Sequence, residues 1–118
     1  MARKSFTEST WRNDPWFKKL CKAVVECRTE QQAAEFLRDV GTLTELKDWS
    51  ERLEMADRIM EGQTYRDITE EMGVSTTTVT RVARFLKDGK GYSRFLKRKH
   101  GHHSHARERG ERLASTAA

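Results

Sequence analysis

Between Thr64 and Leu86 the sequence TYRDITEEMGVSTTTVTRVARFL sets two short helical patterns on either side of one glycine. At about 100° per residue, Thr77, Thr80, Arg81 and Arg84 fall opposite Val79, Val82 and Leu86. The outward set is hydrogen-bonding and cationic. A threonine hydroxyl can bond a base edge and its methyl can pack on thymine, while a guanidinium grips a guanine edge or a phosphate. Ser75 and Thr76 stand at the helix start, where hydroxyls and free backbone N–H groups suit phosphate oxygens and the helix dipole favours an anion. No acidic residue interrupts the face from Thr76 to Lys87, so Lys87 extends a surface suited to a polyanion.

The elements that hold this face are legible around it. Thr64 begins a short helix with Asp67 in the reciprocal capping position, Ile68 and Met72 turn inward, and Gly73 supplies a corner without side-chain penalty at positive φ. Val74 alone separates that glycine from Ser75, the next cap. Two helices joined so tightly must cross steeply, which is the helix-turn-helix arrangement. Its second helix is carried outward to enter a major groove.

Earlier in the chain, Asp14-Pro15 opens a helix by capping and by a proline whose missing N–H costs nothing at the first turn. Trp16, Phe17, Leu20, Cys21, Val24 and Val25 give that helix a wide apolar face. Thr29 with Gln32 starts a second helix that Gly41 stops. Thr44 is read as the cap of a third, in which Leu46, Trp49, Leu53, Ala56 and Met60 form a core stripe ended by Gly62. The acidic residues on its other faces read as a solvated surface and not a metal site, since no histidine or cysteine accompanies them. A sixth, brief helix is expected around Tyr92, Phe95 and Leu96. The expected organisation is therefore all-α with about six helices: a mobile arm over 1–13, one helical DNA-binding and dimerisation domain over 14–97, and a disordered basic tail over 98–118.

Composition agrees with a single small domain. The chain has 118 residues, 36% apolar and 35% charged, with one proline. Its net charge of +5 is unevenly spread: residues 1–28 carry +4, 29–72 carry −7 and 73–118 carry +8. A basic third beside an acidic one suits a surface that meets nucleic acid, because each neutralised phosphate releases a counterion. No stretch is apolar enough for a membrane span and the first residues lack a secretory pattern, so a soluble, cytoplasmic protein is expected. Cys21 and Cys27 match no metal motif and read as reduced packing residues. His100, His102, His103 and His105 lie close enough to chelate a metal, but a flexible tail would bind weakly and unselectively, so neither metal nor cofactor is expected. With no phosphate-cradling glycine loop and no paired Cys/His ligands, an enzyme is not expected either. A helical protein-interaction module, or a non-specific nucleic-acid-binding one, is the alternative; it leaves the outward Thr/Arg face idle.

The stretch from Leu43 to Arg98, and above all EGQTYRDITEEMGVSTTTVTRV, resembles the Trp repressor family and its Trp-repressor-like branch. With the helical N-terminal third, the resemblance covers about residues 14–97. It implies an intertwined all-α homodimer that sets two recognition helices in successive major grooves of a roughly palindromic double-stranded operator, with Trp16, Phe17, Leu20 and Val24 helping to build the dimer. In tryptophan-responsive members an indole lies between two arginines, and Arg52 and Arg81 stand at the matching positions. The glycine that follows the second arginine in those members is Val82 here, and a small polar pocket residue is Phe85. Both side chains take space that the indole needs. Tryptophan is therefore not expected as a corepressor, and Arg52 and Arg81 are expected to serve as ion-pair or phosphate residues.

Overall fold

The computed structural model describes residues 6–101, of which 97–101 are described as backbone alone. These residues form a 3-10 turn at Trp11–Asn13 and the helices α1 (Pro15–Glu26), α2 (Glu30–Val40), α3 (Leu43–Met60), α4 (Tyr65–Met72), α5 (Thr76–Asp88) and α6 (Gly91–Gly101), with no strand among them. The chain divides into two compact units, Met1–Leu46 and Lys47–Ala118.

In the first unit short polar side chains set the helix starts. Asp14 accepts from the N–H groups of Trp16 and Phe17, both at 2.9 Å, with Pro15 at the first helical position. Thr29 accepts from Gln32 N–H at 3.1 Å, and the Gln32 side chain reaches back to Arg28 N–H at 2.9 Å. The start of α3 differs from expectation: Thr42, not Thr44, is the cap. Its hydroxyl accepts from Glu45 N–H at 3.1 Å and its own N–H donates to the Glu45 carboxylate at 2.9 Å. That reciprocal pair satisfies two otherwise orphaned donors, and the bond from Thr42 N–H holds the Glu45 carboxyl below its ordinary pKa. A second correction concerns the arm. From Phe6 onward it carries structure, because Phe6 and Trp11 both pack edge-on against Phe17, with ring centroids 5.7 and 5.5 Å apart. Isolated aromatics without periodicity give no helical signal, yet they find a ring on the next element. Neither α1 nor α2 holds a buried residue. Trp16 remains 63% exposed, and Cys21 is exposed where a packing role was expected.

The second unit has a core. Met55 and Ala56 of α3, Ile68 of α4, Val79 and Val82 of α5 and Leu96 of α6 are each at most 2% exposed. Met72, Val74, Leu86 and Tyr92 pack on them. Arg58 ties α3 to α4, its Nη1 lying 2.7 Å from Glu71 while its Nε meets Glu54 at 2.8 Å. The expected stripe of α3 is therefore split. Met55 and Ala56 face the core, whereas Trp49 and Leu53 are 42% exposed. A periodic stripe reveals that a helix has an apolar face but not that it has two. Helix α6 continues to Gly101, so residues 98–101 are helical and not part of a disordered tail. The rest of that tail, and the histidine side chains in it, lie outside the described residues.

Candidate nucleic-acid interface

The corner of the motif is set by one backbone angle. Gly73 ends α4 at φ 68° and ψ 35°, in the left-handed region, and its N–H donates to Thr69 O at 2.9 Å. A Cβ placed there would meet no atom within 4 Å, so a substitution is resisted by torsion alone. Gly73→Ala is accordingly expected to cost about 1 kcal/mol in urea unfolding with the helix content retained. Unchanged stability would contradict the requirement for a left-handed residue at this corner.

Past the corner, Ser75 accepts from Thr78 N–H at 3.1 Å, and the two hydroxyls lie 2.8 Å apart. This bond turns Thr78 inward, half-buried, and fixes the phase of α5. With Val79 and Val82 anchored in the core, the opposite face is set without further contacts. Ser75, Thr76, Thr77, Thr80, Arg81, Arg84 and Lys87 are all exposed, as the helical periodicity predicts. Among the described residues no ion pair engages Arg81, Arg84 or Lys87. The Arg81 guanidinium lies 5.1 Å from the centroid of the Phe85 ring, and that of Arg84 lies 5.5 Å from it. The periodicity gives the outward face but not these cation–ring contacts.

The two arginines singled out as a ligand pair have different surroundings. Arg52 is half-buried and lines a cleft of about 270 Å³ with Met55, Val74, Ser75 and Thr78, beside the carboxylates of Asp48 and Glu51. Arg81 is exposed over Phe85. Neither takes part in an ion pair among the described residues, so the ion-pair role expected for them is not seen there. Val82 lies in the core, 2% exposed. Phe85 is half-buried and lines an apolar groove of about 390 Å³ with Gly89, Gly91 and Tyr92. Burial pushes the Tyr92 hydroxyl above its ordinary pKa, and the positive charges of Arg52 and Arg81 oppose that shift. A tyrosine from α6 thus sits in the field of both arginines. It lies forty positions after Arg52 in the sequence, and no local pattern could have announced the pairing. Among the described residues no three His, Cys, Asp or Glu side chains converge on a position for a metal.

A short capped helix, a left-handed glycine and a second capped helix that exposes hydroxyls and guanidiniums define a helix-turn-helix protein. The family model described as Trp repressor protein matches residues 16–100, and the chain belongs to that family, whose members are DNA-binding regulators and not enzymes. It is 34% identical over 70 residues to the uncharacterized protein YerC of Bacillus subtilis, a match that covers 59% of this chain and 67% of that protein. It also superposes on the crystal structure of a TrpR like protein from Eubacterium eligens with a TM-score of 0.69 and 36% identity, over 73% of this chain and 90% of that one. Among the described residues no helix is long and apolar enough to cross a membrane.

Proposed function

We propose that the chain is a sequence-specific transcriptional regulator, a repressor, which acts in the cytoplasm as a homodimer on a roughly palindromic operator and needs no tryptophan. The observation that carries the reading is the outer face of α5. Ser75, Thr76, Thr77, Thr80, Arg81, Arg84 and Lys87 are exposed on a helix fixed from behind by Val79 and Val82, and the sequence from Thr76 to Lys87 holds no acidic residue. Hydroxyls near the helix start suit phosphate and base edges, and the arginines add bidentate donors.

The homodimer is supported by what the first unit leaves uncovered. Trp16 is 63% exposed and Leu43 65%, while α1 and α2 bury nothing. Apolar surface of that kind marks an interface, and a second copy supplies matching apolar faces by symmetry. Independence from tryptophan is supported by Val82, whose side chain belongs to the core, and by Phe85, whose ring stands beside Arg81.

Gel shifts of a random duplex pool, run across salt with and without tryptophan, test the reading. Retention of a subset of sequences to the same degree in both conditions is expected. Uniform retention that fades with salt would mean a non-specific basic surface, and retention only with tryptophan would contradict the ligand independence.

A further inference from the structure

We propose that Phe85 is a positioning residue for DNA contact: its half-buried ring seats the guanidiniums of Arg81 and Arg84 in one arrangement before DNA arrives. The inference rests on the DNA-binding reading of α5. Phe85 stands on the flank of the helix, between the buried face of Val79 and Val82 and the outward face. The ring is half-buried and borders the groove that Gly89, Gly91 and Tyr92 complete. The guanidiniums of Arg81 and Arg84 lie 5.1 Å and 5.5 Å from its centroid.

The chemistry favours this use of a ring. A guanidinium is planar and all five of its N–H donors point outward in its plane, so stacking through the π face leaves the donors free. An aromatic partner therefore restrains an arginine without consuming what it would offer a guanine edge or a phosphate. A carboxylate partner would restrain it as well but would occupy those donors and cancel the charge. Arg81 lies one helical turn before Phe85 and Arg84 is its neighbour, so one ring serves both. Restraint before binding reduces the ordering cost at the interface, which appears in affinity for DNA and not in the stability of the fold.

The test compares Phe85→Leu, which keeps an apolar side chain but removes the π face, with Phe85→Tyr, which keeps the ring. Two readouts are needed: affinity for the duplex that the wild-type protein selects from a random pool, and 15Nε relaxation of the arginines in the free proteins. Phe85→Leu is expected to bind that duplex about tenfold more weakly and Phe85→Tyr within about twofold of wild type. In the wild-type protein Arg81 and Arg84 Nε should be more ordered than those of exposed Arg28, and in Phe85→Leu they should lose that difference. Phe85→Leu with wild-type affinity overturns the inference alone, as does a wild-type protein whose Arg81 and Arg84 are as mobile as Arg28. A wild-type protein that selects no duplex removes the DNA reading and this inference with it. Should Phe85→Leu fail to fold, Phe85→Met takes its place, and the wild-type relaxation decides independently.

Discussion

Replacing Thr77, Thr80 and Arg84 together by alanine is expected to abolish selection of a preferred duplex while leaving the fold intact. All three are exposed on α5 and none belongs to the core. A well-placed contact to a base edge contributes about 1–3 kcal/mol of discrimination, so losing three per protomer lowers affinity for the preferred duplex by roughly a hundredfold or more. Exposed substitutions away from caps and buried groups shift stability by only about 0.5 kcal/mol, and alanine is the better helix former. Arg81, Lys87, the cap Ser75 and the first-turn Thr76 remain, so weak, salt-sensitive binding to any duplex should persist. Fluorescence anisotropy with the preferred duplex and a scrambled one measures both terms. Unchanged discrimination would place sequence recognition elsewhere on the molecule.

The second large effect concerns assembly. The double variant Trp16→Glu, Val24→Glu is expected to shift sedimentation from twice the 13.8 kDa chain mass to the chain mass itself. Trp16 is 63% exposed and Val24 49% within one chain, so charges there cost the isolated chain little. In a two-fold dimer each substitution occurs twice, and burying a large apolar side chain is worth about 1.5–3 kcal/mol. Four lost burials amount to about 6–12 kcal/mol, comparable with the whole free energy of a micromolar dimer at about 8 kcal/mol. Because α1 and α2 bury no residue of their own, their helicity should fall with the dimer. A wild-type chain that sediments as a monomer, or a variant that still pairs, would contradict the dimer reading.

How far the sequence could be read depended on whether a signal was local. The caps Asp14, Thr29, Thr64 and Ser75 and the left-handed Gly73 act through bonds and torsions within a few residues, and each appears where its pattern places it. The start of α3 is ambiguous in the sequence because TLT offers two threonines, and only the Thr42–Glu45 pair closes a reciprocal bond. Packing was less legible. Helix α3 presents two apolar faces, and periodicity could not say that Met55 and Ala56 face the core while Trp49 and Leu53 stay exposed. On α5 the outward residues followed from phase alone. The approach of the Arg81 and Arg84 guanidiniums to Phe85 did not, since rotamers chosen around a ring leave no trace in residue spacing. The proximity of Tyr92 to Arg52 and Arg81 is tertiary and lay beyond any local pattern.

Sequencing the duplexes retained by the full-length protein after repeated selection at physiological salt, without tryptophan, tests the central claim most directly. Two half-sites related by two-fold symmetry, centred about one helical turn apart, are predicted. A retained pool with no shared sequence, lost evenly as salt rises, would contradict it.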